Sequence, residues 1–146
     1  MKTAVHGVDE MLRGIEASPL FAAAIAPTGI ASCSLAVEGG QTSVSLESGS
    51  GNRLVVRRDE RIESTAQEAR FRAPPVEPAL VILKAAERSA FGTSGCGIAW
   101  DRPVTGRASR PERAVTTYRG DVCNCQASVD QGSTGQVVAL SLKSAC

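Results

Sequence analysis

Apolar positions along the chain change period several times, and each change marks an element. Val8, Met11, Leu12 and Ile15 fall at i, i+3, i+4 and i+7, the spacing of a helix with one buried face, and Asp9 and Glu10 sit near its positive end. This predicts a helix over about residues 7–18. Pro19 either ends it or opens a short second helix over Leu20 to Ile25, because proline fits a first helical turn and not an interior.

After Pro27 the period becomes two. Cys33, Leu35 and Val37 alternate, Gly39-Gly40 turns the chain, and Val44 and Leu46 alternate again, which predicts a hairpin. Ser48-Gly49-Ser50-Gly51-Asn52 supplies the next turn, Leu54 and Val56 a third strand, and Ala69 and Phe71 a short fourth. Pro74, Pro75 and Pro78 then bracket the start of a helix whose apolar face is Ala79, Ile82, Leu83, Ala86 and Ala90, with Gly92 as its C-terminal cap. Cys96, Ile98 and Trp100 alternate as a strand, and a polar connection follows through Pro103, Gly106 and Pro111. Two further strands, around Val115 to Val129 and Val137 to Lys143, are parted by Gly132-Ser133-Thr134-Gly135.

These elements predict an α+β fold of a single domain, residues 1–146, with two amphipathic helices packed on one face of a curved antiparallel sheet. Met11 to Ser18 can be laid over Ile82 to Ser89 at an offset of 71 residues, and each copy precedes a group of strands. An internal α-βββ duplication, with half-repeats 7–73 and 74–146, would account for this.

Composition narrows the function classes. The 16 basic and 15 acidic residues nearly cancel, so no long-range field draws in nucleic acid or an anionic membrane. One Trp, one Tyr and three Phe leave few stacking platforms for single strands. No stretch approaches the ~20 apolar residues of a membrane span. Ile30-Ala31-Ser32-Cys33 resembles a lipobox after the apolar run Leu20 to Ala26, but Asp9, Glu10 and Glu16 precede that run and Pro27 interrupts it, so a lipoprotein leader is not expected. An odd cysteine count fits a reducing compartment, and the expected location is cytoplasmic.

Candidate chemistry is sparse. His6 is the only histidine, so hydrolase schemes that need a positioned imidazole would all depend on it. Gly92-Thr93-Ser94-Gly95-Cys96-Gly97 leaves a helix and enters a strand, the reverse of a phosphate-cradling loop, and reads as a cap and turn. The paired carboxylates Asp9-Glu10 and Asp59-Glu60, and the isolated Asp101, Asp121 and Asp130, lack the apolar context that acid and base work requires. No cofactor is expected, and the balance falls against an enzyme.

The cysteines permit a different reading. Cys123-Asn124-Cys125, with Cys96 and Cys146, could form a redox pair or part of a zinc site. Strand parity instead places Cys33, Cys96, Cys123, Cys125 and Cys146 in register with apolar neighbours, which predicts buried core thiols. Arg102, Arg107, Arg110, Arg113 and Arg119, opposed only by Asp101 and Glu112, form the best candidate binding surface, since long charged loops carry recognition more often than stability. Arg119-Gly120-Asp121 spells an integrin-type tripeptide and reads as a strand bend. The order helix, meander, helix, strands is similar to that of the small dimeric chaperones of type III secretion systems, in element order alone. The expected function is therefore a non-enzymatic protein-binding or adaptor module, chaperone-like and dimeric, with a protein partner or a second copy at a sheet edge. The alternative is a thiol-dependent redox or zinc protein using Cys123 and Cys125.

Overall fold

The computed structural model describes residues 6–107 and 114–146. Helices α1 (His6–Glu16) and α2 (Pro19–Ala24) precede the strands β1 (Ile30–Glu38), β2 (Gln41–Ser48), β3 (Arg53–Asp59) and β4 (Ser64–Arg70). Helix α3 (Ala79–Phe91) precedes β5 (Val104–Arg107), β6 (Ala114–Arg119), β7 (Gln126–Gln131) and β8 (Val137–Ala145). The fold is α+β, with one antiparallel sheet in the order β1-β2-β3-β4-β8-β7-β6-β5. Each helical segment is followed by a four-stranded meander, and the meanders join through their last strands, β4 and β8.

Ser18 explains why the first helical segment breaks in two. Its hydroxyl oxygen accepts the Leu20 N–H at 3.2 Å and so caps α2, with Pro19 in the first turn where its missing donor costs nothing. The same hydroxyl donates to Gln67 Oε1 on β4 at 2.9 Å, which ties the helical break to the sheet. At the end of α3, Gly92 takes a positive φ of 83° and donates its N–H to Arg88 O.

Strand register sorts the sheet into two faces. On one, Leu46, Leu54, Ala69, Leu140 and Val129 run across consecutive strands, as do Val44, Val56, Gln67, Leu142 and Ala127. Apart from Gln67 these side chains are buried, and they form one core with Met11, Ile15, Leu20, Ile25, Ile82 and Leu83 of the helical segments. Helix α2 touches β3 and β4, and α3 touches α2 and β8. Burying Leu20, Leu54, Leu83 and Leu140 is worth about 2 kcal/mol each before cavity terms. The opposite face carries Ser34, Ser45, Val55, Glu68, Ser141, Ser128 and Thr117 in one row, all half-buried or exposed and polar except Val55, the usual state of a one-sided antiparallel sheet.

Three sequence expectations are corrected. Residues 96–100 are not a strand but a turn and coil. The single strand expected from Val115 to Val129 is two strands, parted by a turn in which Cys123 and Asn124 take positive φ of 53° and 48°. The polar connection after Trp100 contains a strand, β5. No described helix is long and apolar enough to cross a membrane.

Candidate functional site

The sheet's two edges are unequal. β5 has four residues, whereas β1 has nine and is exposed along its length except at Leu35. The core rows of the sheet run out on β1: Cys33 lies opposite Leu46 and Leu35 opposite Val44, on the helix side, yet Cys33 is exposed and Leu35 only half-buried. Ile30 and Val37 are 50% and 55% exposed. Helix α1 faces this side of the sheet with Leu12 and Ile15. Between them lies a groove of about 460 Å³, floored by Leu12, Ile15, Ile30, Cys33 and Leu46 and rimmed by the charged residues Asp9, Arg13 and Glu16. From Ile30 to Val37 the strand carries no charge, so it lacks the lysines, prolines or inward charges that protect edges. A register shift between Ile30 and Ser32 leaves Ser32 to Glu38 as the regular pairing stretch.

The second constellation lies at the far side of the molecule. Cys96 pairs with Cys125 and Cys123 with Cys146, so four of the five cysteines form two disulfides interleaved along the chain. The expectation of five core thiols fails. Cys96 and Cys125 are buried, Cys123 is half-buried, and Cys33 and Cys146 are exposed. Parity misled because Cys123 and Asn124 sit in left-handed backbone, where strand alternation does not apply. Cys123 and Cys125 do not bond to each other; each is bonded to a different partner. No group of three or more His, Cys, Asp or Glu side chains converges on a metal-sized site among the described residues.

The sequence reading missed Glu87, which organises this corner. Its carboxylate is buried and accepts the N–H groups of Cys96 at 3.1 Å and Ile98 at 3.3 Å and the Trp100 indole Nε1–H at 3.1 Å. Trp100 in turn stacks obliquely on Tyr118, ring centroids 5.1 Å apart. Glu87 lies four residues after Leu83 on the apolar stripe of α3, a position that marks a buried acid. Gly120 packs against this corner so closely that a Cβ there would meet Cys125 Sγ and Cys96 O. Its presence between Arg119 and Asp121 is thereby explained by packing.

The described part of the basic stretch lies at the β5 side of the sheet. Arg102 precedes β5 and Arg119 ends β6, and both are exposed. Arg107 ends β5, but its side chain, like Arg110 and Arg113 as a whole, lies outside the described residues. His6 opens α1, with its side chain likewise outside the description. Among the paired carboxylates, Asp59 is held below its ordinary value of 3.8. The chief cause is the Arg61 side chain, whose Nε and Nη2 donate at 3.3 and 3.1 Å, and burial opposes the shift. This pair ties down the β3–β4 turn and faces no apolar pocket suited to acid or base work.

No protein-family model, curated protein or solved structure matches the chain.

Proposed function

We propose that the protein is a non-enzymatic binding module, chaperone-like in docking an extended segment of another polypeptide along β1. The observation that carries this reading is β1 itself: a nine-residue edge, uncharged from Ile30 to Val37, whose helix-side residues continue the core rows into solvent. Main-chain hydrogen bonds along such an edge supply affinity, and side chains at alternate positions select the partner. The α1–β1 groove receives those side chains, and Asp9, Arg13 and Glu16 stand where they can sort partners by charge. The basic stretch around Arg102 and Arg119 adds a separate contact at the opposite edge.

A dye-labelled peptide of alternating valine and threonine, matched to the nine residues of β1, tests the docking edge at protein concentrations low enough to keep the chain monomeric. Wild type should bind it about tenfold or more tightly than Leu35→Lys/Val37→Lys, which places gatekeeper charges on the edge. Equal binding by both proteins, or none by either, would overturn the proposal.

The two disulfides favour an oxidising compartment over the cytoplasmic location expected from the cysteine count, because such bridges persist where thiols are not kept reduced. The thiol-dependent reading keeps one supporting observation, the exposure of Cys146 at the end of its bridge, which leaves that bond open to exchange.

An internal duplication also gains support. Displacing Gln41–Ser48, Arg53–Asp59 and Ser64–Arg70 by 71 residues gives 112–119, 124–130 and 135–141, which overlap β6, β7 and β8. The same shift carries buried Met11 and Ile15 onto buried Ile82 and Ala86. Superposing the two halves strand on strand tests it, and a failure of β1–β4 to follow β5–β8 would sink it.

A further inference from the structure

We infer that the segment covering β1 is β1 of a second copy, antiparallel and two-fold about Leu35. This rests on the reading of β1 as the docking edge. Three features of the strand select its own copy as occupant.

The first is length. Head-to-tail addition would pair nine residues of β1 with four of β5 and leave most of the long edge open. Pairing β1 with its own symmetry mate matches the lengths and closes the assembly, leaving only the short β5 edges outward.

The second is register. Centring the regular stretch Ser32 to Glu38 on Leu35 uses all of it. Cys33 then lies opposite Val37 of the second copy, Leu35 opposite its own mate, and Ser34 opposite Ala36. Helix-side apolar residues meet helix-side apolar residues, so the core rows that end in solvent on β1 continue into the second molecule. A register displaced by one residue would set apolar against polar faces along the whole strand.

The third is charge. Residues 30–37 carry none, so two copies approach without repulsion. Glu38 falls opposite Ser32, and the two Glu38 side chains stand about 20 Å apart at opposite ends of the ribbon.

Sedimentation equilibrium of the full chain, beside oxidative cross-linking, tests this. Wild type should be a dimer, and Leu35→Lys/Val37→Lys should weaken dimerisation about a hundredfold or more while keeping the wild-type circular dichroism. In a Cys33→Ser background, Leu35→Cys should form an interchain disulfide at position 35 under mild oxidation, since directly opposed strand residues have Cβ atoms about 5 Å apart. Cys33→Ser alone should not. A monomer at every concentration that still binds the valine–threonine peptide would overturn the second copy and leave the docking edge standing. A monomer that binds no peptide would overturn both. A dimer indifferent to the lysine pair and unbridged at position 35 would place the interface elsewhere and overturn the inference.

Discussion

The two halves of the molecule share a layout and are held together by different means. In the N-terminal half the helix–meander junction is fastened by Asn52, a buried amide. Its Nδ2 donates to Ala24 O at 3.1 Å, its Oδ1 accepts the N–H groups of Arg72 and Ala73 at 2.9 Å each, and its own N–H donates to Ser48 Oγ at 3.0 Å. In the C-terminal half Glu87 does the corresponding work for the 96–100 segment, and two disulfides are added. The strands of the first meander bury Val44, Leu46, Leu54 and Val56, and those of the second bury Val129, Leu140 and Leu142 with Tyr118 and Ala127. The comparison teaches that two halves with similar aliphatic cores can be fastened differently, one by a buried amide and the other by a buried carboxylate with two covalent bridges.

Removing the buried bridge should widen the difference most. Cys96→Ala/Cys125→Ala opens a loop of 29 residues, and by chain entropy this costs about 3–4 kcal/mol in urea unfolding. A loss under about 1 kcal/mol would mean that the bridge is not a stabiliser. The two buried polar clasps come next. Asn52→Ala and Glu87→Ala should each cost about 2–3 kcal/mol, since each strands several backbone groups. Only Glu87→Ala should also reduce the near-ultraviolet signal of the Trp100–Tyr118 pair. If Asn52→Ala reduces it equally, the halves are not separately fastened.

The smallest effect belongs to Asp59. Because its folded pKa lies below its unfolded one, the stability it contributes is present above the ordinary value of 3.8 and is lost as pH falls through the lowered folded pKa. Wild type and Asp59→Asn should therefore differ at neutral pH and converge in thermal melts on strong acidification. A gap that persists below both values would argue against the Arg61 contact as its source.

Much of this fold is legible in local sequence. Helical spacing located α1 and α3, and the glycine turns located β1 to β3, because those elements are specified by neighbours a few residues apart, whereas β4, expected only around Ala69 and Phe71, begins at Ser64 and ends before Phe71. β5 escaped notice because its four residues, which follow Pro103 and include Gly106, carry no alternation worth reading. The disulfides escaped because Cys123 and Asn124 leave the β region, and pairing is a property of the folded chain. The candidate site was half legible. Cys33, Leu35 and Val37 announce a strand with an apolar face, but only the strand order reveals that this strand is an edge of the sheet.

The meeting of β4 with β8 bears on how the sheet is assembled. Within each meander, partners are close in sequence, as Glu38 with Gln41. At the centre, Ser64 pairs with Ala145 and Arg70 with Ala139. The strands with the most distant partners thus lie in the middle of the sheet rather than at its rim. Contacts that span so much chain carry the largest closure entropy and slow folding most, so the seam between the halves is the kinetic bottleneck of the topology. Until it forms, β4 is a second open edge, and a nascent chain passes through a stage with more strand surface to guard than the finished molecule shows.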